Sequence, residues 1–360
     1  MTTAEDAPGS KPASGASQAA HAEAERASPE AAAKVTQLLT GVRLSQSISV
    51  AASLGVADVL ASGARPVKEI ADAIGADEPT LYRLLRALAA AGLFREEADR
   101  AFSLTELGTT LRKDIAGSIR DQAILFGRPY MLASWGNVEH SIRTGQNAFT
   151  AQHGEDIWSW RAREPAEASV FNRGMASMSA PVGPALATAL NPSGISTIAD
   201  IGGGSGTLLA AVLAAHPSLR GIVFDQPAVV AEARPVLEAA GVIDRAALIG
   251  GSFFEQVPVA DVYVMKSIIH DWADEESIAI LRTILSAAPA TARLLLVERI
   301  LGGPNEDLAG KLSDLHMLVM PGGQERTQDE WRDLLHRAGW SLVGARPLVG
   351  IWHLIEAVPA

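Results

Sequence analysis

The stretch Ser196-Thr-Ile-Ala-Asp-Ile-Gly-Gly-Gly-Ser-Gly-Thr-Leu-Leu-Ala-Ala-Val-Leu-Ala-Ala215 holds a short apolar run, a glycine-rich turn and a helix-forming run in succession. A run as short and apolar as Ile198 to Ile201 suits a strand covered on both faces. The order recurs. Gly221 to Phe224, Val262 to Met265 and Leu294 to Val297 are further strand-like runs, and Leu208 to Ala215, Ala228 to Ala240 and Glu275 to Ala288 are the helical segments between them. Such alternation predicts an α/β fold, a Rossmann-like doubly wound parallel sheet whose ligands bind at the carboxyl ends of the strands. Leu342 to Pro347 and Ile351 to Val358, around Gly350, read as an antiparallel hairpin that completes it.

Upstream the texture is helical. Pro66 to Ile74 and Glu78 to Ala89 are two short helices across a Gly75 turn, and Phe94 to Leu104 folds back at Glu96 to Asp99, a winged helix-turn-helix pattern. Between Lys34 and Asp114 stand ten Lys or Arg and ten Asp or Glu, and only Arg83 and Arg86 fall on the would-be recognition helix. A neutral module cannot drive the counterion release on which DNA binding depends, so packing and dimerisation is the better reading. Residues 1–33 contain twelve Ala and, apart from Met1, no large aliphatic or aromatic side chain, which predicts a mobile tail. The expected organisation is therefore a tail at 1–33, a winged-helix-like dimerisation domain at 34–120, a helical connector at 121–190 that contributes to a pocket, and the sheet domain at 191–360.

The chain has no Cys, which removes disulfides, thiolate zinc sites and Cys nucleophiles, and its acidic start does not read as a signal peptide. A net charge of −11 disfavours nonspecific association with nucleic acid or anionic membrane, and no stretch is apolar for long enough to cross a bilayer. A cytoplasmic protein is expected.

At the end of the first strand, Asp200 to Gly206 departs from the dinucleotide spacing, because residue 207 is Thr rather than Gly. Nineteen residues beyond Gly206 stands Asp225, at the end of the second strand. A carboxylate there suits a ribose diol, or caps the following helix; glycine turn and acid together indicate an adenosine-bearing ligand.

Gly250-Gly-Ser-Phe-Phe254, Ala260 to Trp272, Val297-Glu-Arg299, Asp314 to Met320 and Pro321-Gly-Gly-Gln-Glu-Arg-Thr327, with Leu81 to Leu88 and Phe171-Asn-Arg-Gly-Met175, sharpen this reading. In these motifs the chain resembles the S-adenosylmethionine-dependent O-methyltransferases of the plant caffeate and bacterial hydroxyneurosporene type, over nearly everything after the tail. The resemblance implies a homodimer, and a cofactor site in which Asp200, Gly202, Gly204 and Gly206 underlie the methionine part and Asp225 with Gln226 meets the ribose. Ser252, Phe253 and Phe254 would flank adenine, with Lys266 nearby. The family commonly has Asp where this chain has Ser252, which lacks the second oxygen and the charge.

His270 is the expected general base. An imidazole can take the proton of a phenol as methyl is displaced onto its oxygen. Glu298, at the end of a neighbouring strand, would accept from the other ring nitrogen, and the resemblance assigns Glu325 the same part from a later loop. Trp158, Phe171, Met175, Met178, Asp271, His316, Met317 and Met320 are the candidates for a pocket taking a hydroxyl of an aromatic or polyketide-like small molecule. No metal is expected. The competing assignments are a His and carboxylate iron site built from His270, Asp271 and His316 or Glu298, a cofactor-binding relative with other chemistry, and a winged-helix regulator.

Overall fold

The computed structural model describes residues 27–360. The tail expected over 1–33 lies outside the described residues up to Arg26. From Pro29 the chain is already helical, with the Ser28 hydroxyl accepting the Ala31 N–H.

Two compact units follow, one ending at Ser47 and the other running from Ile48 to Ala360. The first contains the helix Pro29–Leu39 and the start of the helix Gly41–Leu54; Val35, Leu38, Leu39 and Val42 are all exposed on it.

In the second unit the winged pattern forms as expected, with helices Val67–Ile74 and Glu78–Ala90. A three-stranded sheet accompanies them: β1 (Arg65–Pro66), β2 (Phe94–Glu96) and β3 (Ala101–Leu104), in the order β1-β3-β2. Asp77 caps the second helix by accepting the Thr80 N–H, and Ile70, Leu81, Leu85, Leu88 and Phe102 bury together beneath it.

Seven helices between Arg120 and Ala189 lead into a seven-stranded sheet. Its strands are β4 (Thr197–Ile201), β5 (Arg220–Asp225), β6 (Ala246–Gly250), β7 (Val262–Lys266), β8 (Arg293–Glu298), β9 (Trp340–Val349) and β10 (Trp352–Pro359). The order is β6-β5-β4-β7-β8-β10-β9, parallel except that β10 runs antiparallel to both its neighbours.

Side chains alternate between faces. Ile198, Val223, Val264 and Leu295 join one core with the helices Val182–Ala189, Thr207–Ala215 and Ala233–Ala239. Ala199, Ile201, Phe224, Met265 and Leu296 join the other with Asp274–Ala287 and Gln328–Arg337. Period-two patterning buried on both sides explains why the central strands read as apolar runs, interrupted in β4 by Asp200 alone.

Two details depart from expectation. Strand β6 was not among the expected strands, although Ala246 to Ile249 is an apolar run; it carries no fully buried residue and sits at the sheet edge. The helix expected over Ala228 to Ala240 is broken into Pro227–Val230 and Ala233–Ala239, with Pro235 in the first turn of the second piece. Proline has no N–H for the preceding turn and its ring clashes with the carbonyl four residues back, so it tolerates only a helix start.

Trp340 is fully buried and donates its indole N–H to the Leu281 carbonyl at 3.0 Å. Trp340→Ala leaves both a cavity and an orphaned carbonyl, and is expected to cost about 3–5 kcal/mol. Val343→Ala, at an exposed position of the same strand, is expected to stay within about 0.5 kcal/mol. Urea unfolding midpoints of the two variants measure the difference.

Candidate active site

The carboxyl ends of β4, β5 and β7 bring the motifs together. Gly202, Gly204 and Gly206 all have positive φ (73°, 55° and 72°), so the turn after β4 is open to glycine and strained for other residues. A Cβ on Gly202 would also collide with Ile268. Asp225 closes the turn from β5: one oxygen accepts the Gly204 N–H at 2.8 Å, the other the Gln226 N–H at 2.7 Å. Burial raises its pKa while those two N–H groups hold it down.

Asp200 is buried, with Oδ2 unpartnered, and burial together with the nearby Asp225 pushes it up to about 7. The Lys266 ammonium is buried without a hydrogen-bond partner, 4.5 Å from the centre of the Trp352 ring, and burial pulls it down to about 8. A buried acceptor, a buried donor and a turn whose one side chain, Ser205, is engaged with Thr207 fit a ligand carrying both an ammonium and a carboxylate, such as the methionine part of S-adenosylmethionine.

Ser252 follows Gly251, whose N–H is bonded to the Asp225 carbonyl, but its hydroxyl is engaged locally by the Phe254 N–H at 3.3 Å. Phe253 and the half-exposed Phe254 stand edge-on to Trp272, with centroids 6.1 and 4.8 Å away. Gln226 is exposed at the start of the helix Pro227–Val230.

His270 lies in the short turn Ile269–Asp271 after β7, which Ser267 enters with φ of 55°. Its ring is buried, and Nδ1 sits 3.1 Å from Glu325 Oε1. Glu298 does not make the bond expected of it. Its Oε2 is 3.8 Å from Nδ1, whereas its Oε1 accepts the N–H groups of Ile268 and Ile269 at 3.1 and 3.0 Å. Glu298 therefore anchors the turn's backbone and acts on the ring through space.

Glu325 is held in turn by the Ser313 hydroxyl, and its own N–H is bonded to Asp314. The loop carrying it approaches closely enough for the Gln324 N–H to reach the His270 carbonyl at 2.9 Å, and a Cβ on Gly323 would overlap that carbonyl. Arg326, fully buried, ties the Trp272 carbonyl to Asp274.

Burial alone would lower the His270 pKa, but the carboxylates of Glu298, Asp271 and Glu325 together push it up to about 9. Asp271 Oδ1 lies 3.6 Å from Nε2, outside hydrogen-bond range, which leaves Nε2 for an incoming hydroxyl.

His316 is of the opposite kind. Its Nδ1 accepts the Trp135 indole N–H at 3.0 Å, and burial with the nearby Arg161 and His270 pulls it down to about 4, so it stays neutral with its proton on Nε2. Trp158 and Phe171 pack edge to face at 6.0 Å. Met175 and Met178 are half-buried on the helix Pro165–Ser179, while Met317 is buried and Met320 packs in a cluster with Tyr130 and Phe149. Among the described residues no three His, Asp or Glu side chains are arranged to hold a metal ion.

Reading the sequence did not single out Arg161 or Trp272 for the site. Trp272 stacks on Trp158 at 6.4 Å and so joins the His270 turn to the helical region. Its place directly after His270 and Asp271 was the available signal.

A family profile described as the O-methyltransferase domain matches residues 135–341, and one described as the O-methyltransferase dimerisation domain matches 36–114. The chain belongs to the O-methyltransferase family. It is 41% identical to phenazine O-methyltransferase PhzM of Lysobacter antibioticus, covering 90% of this chain and 95% of that one. Its identity to the mitomycin biosynthesis 6-O-methyltransferase of Streptomyces lavendulae is 38%, over 85% and 88% of the two chains. Among solved structures, the O-methyltransferase NcsB1 from neocarzinostatin biosynthesis, in complex with S-adenosylmethionine and 2-hydroxy-5-methyl naphthoic acid, superposes with a TM-score of 0.77 at 34% identity, over 88% of this chain and 96% of that one. This methyltransferase accordingly has the class I Rossmann-like fold, carries a dimerisation domain and uses S-adenosylmethionine.

The His270 charge state follows from its surroundings and is directly measurable. Glu325→Gln removes the hydrogen-bonded carboxylate that favours the imidazolium, so the pKa is expected to fall by at least about one unit. Titrating the ring by NMR in both proteins checks it; an unchanged value would assign the elevation to Glu298 and Asp271 alone.

Proposed function

We propose that the enzyme methylates a hydroxyl of an aromatic or polyketide-like small molecule in natural-product biosynthesis, with His270 as general base. The observation that carries this is the buried His270 ring, bonded through Nδ1 to Glu325 with Nε2 left free. S-adenosylmethionine, when bound, supplies an electrophilic methyl on a sulfonium. His270 Nε2 would take the proton of the acceptor hydroxyl, leaving its oxygen the nucleophile for that methyl. Glu325 fixes the tautomer and stabilises the imidazolium, and Glu298 keeps the turn in register.

Asp200, Gly202, Gly204, Gly206 and Lys266 would hold the methionine end, Asp225 and Gln226 the ribose, and Ser252, Phe253 and Phe254 the adenine. Trp158, Phe171, Met175, Met178, Asp271, His316, Met317 and Met320 are assigned to the acceptor side, His316 offering a neutral Nε2–H. We further propose a cytoplasmic homodimer acting on a small molecule rather than on nucleic acid or membrane. The exposed apolar helix Pro29–Leu39 supports self-association, and the working division of the chain is 34–120, 121–190 and 191–360.

Three measurements test this reading. His270→Gln is expected to bind S-adenosylmethionine with unchanged affinity by calorimetry yet lose about 10²–10⁴ in kcat on a panel of phenols and hydroxynaphthalenes; retained turnover would remove the base. Because the imidazole must be neutral to accept a proton and is held up to about 9, the wild-type rate should rise with pH through the neutral range and level off above that value. Asp225→Asn keeps only one acceptor oxygen for the backbone and the ribose, so cofactor affinity should fall about tenfold or more.

A further inference from the structure

Arg161, on the helix Ile157–Arg163, is 7% exposed and forms no ion pair or hydrogen bond among the described residues. Its Nε is buried without a partner. The guanidinium sits over aromatic rings instead, its carbon 3.4 Å from the centre of the Phe171 ring and 5.2 Å from that of Trp158. Trp158 stacks on Trp272, which follows His270 by two residues, so the cation belongs to the acceptor side of the site. The Tyr130 hydroxyl and Asp271 are the polar groups that favour its charge, but neither forms an ion pair with it, and His316 is pushed toward its neutral form by it.

A cation–π contact does not use up the N–H donors of a guanidinium, which are the part still to be satisfied. A buried charge without a counter-ion is costly, and proteins keep one where a ligand completes the pair.

We propose that Arg161 is a specificity-determining residue that receives an anionic oxygen of the acceptor, so that the preferred substrates are hydroxylated aromatics bearing a carboxylate or a second, ionised hydroxyl. This inference rests on the aromatic-acceptor reading above. The aromatic faces of Trp158 and Phe171 would sort for planarity and Arg161 for charge, with His270 addressing the hydroxyl to be methylated. Fork geometry favours two oxygens held side by side, as in a carboxylate.

The test uses full-length protein loaded with S-adenosylhomocysteine and calorimetric titration of matched pairs. The first pair is 1,4-dihydroxy-2-naphthoate and its methyl ester; the second is 4-nitrocatechol, ionised near neutral pH, and catechol. Wild type is expected to bind the anionic member of at least one pair about tenfold tighter or more, and which pair does so tells carboxylate from phenolate. Arg161→Met, which keeps the apolar stem, should lose that preference while affinity for the neutral member and for S-adenosylhomocysteine stays within about twofold; Arg161→Lys, with charge but no fork, should keep part of it. Equal binding of both members by wild type, or an undiminished preference in Arg161→Met, overturns the inference. A parallel turnover assay with S-adenosylmethionine separates that outcome from failure of the underlying reading: methylation of a neutral member without any anionic preference overturns this inference alone, whereas no binding or methylation of any of the four aromatics overturns the aromatic-acceptor reading first.

Discussion

One buried carboxylate carries the geometry of the site. Glu298 ends β8 and spends one oxygen on the successive N–H groups of Ile268 and Ile269, at the point where the chain leaves β7 through the positive φ of Ser267. Two neighbouring strands are thereby tied at their carboxyl ends, and the turn holding His270 has little freedom left. The anchor itself lies in a poorly solvated place, which pushes the Glu298 pKa up to about 7. A charge kept there at the expense of solvation acts on whatever lies beside it, and that is the imidazole.

The second constraint is the loop from Pro321 to Thr327. Glycine at 323 lets its backbone reach the His270 turn, Gln324 bonds the His270 carbonyl, Glu325 bonds the ring, and Arg326 passes beneath to hold the Trp272 carbonyl. Four consecutive residues thus grip one turn from backbone and side chain alike. A ring held at Nδ1 by a carboxylate presents Nε2 in one orientation, which is what in-line methyl transfer needs, since alignment supplies most of its rate. His316 and His270 illustrate the same imidazole under opposite surroundings: burial and nearby cations keep the first neutral, and three carboxylates outweigh burial at the second and favour its charged form.

The cofactor side is built on a different principle. Four of the five residues from Gly202 to Gly206 are glycine, and Asp225 braces the turn by accepting the Gly204 N–H on one oxygen and that of its own neighbour, Gln226, on the other. Each oxygen keeps a lone pair for a further donor, so a carboxylate can brace the turn and meet a ligand together. The unpartnered Asp200 and Lys266 groups flank the same space.

Much of this was legible in the sequence. Period-two burial of β4, β5, β7 and β8 on both faces makes their apolar runs nearly continuous, and glycine at 202, 204 and 206 marks a turn only a residue without Cβ takes comfortably, so the doubly wound sheet and its ligand end follow from local pattern. Asp225, His270 and the carboxylates were likewise visible, because residue type and position at a strand end suffice to nominate them. Strand β6 and the break at Pro235 were passed over, since the run Ala246 to Ile249 is short, rich in Ala and exposed at the sheet edge, and a single proline shifts a helix start without altering its apolar pattern. The division of labour between Glu298 and Glu325 was decided only in three dimensions: both are acids near the right place, and which one reaches Nδ1 depends on a loop 55 residues away in the chain. Arg161 was silent for the same reason. On its helix it reads as one more surface cation, and only packing against Phe171 and Trp158 turns it into a buried charge awaiting a partner.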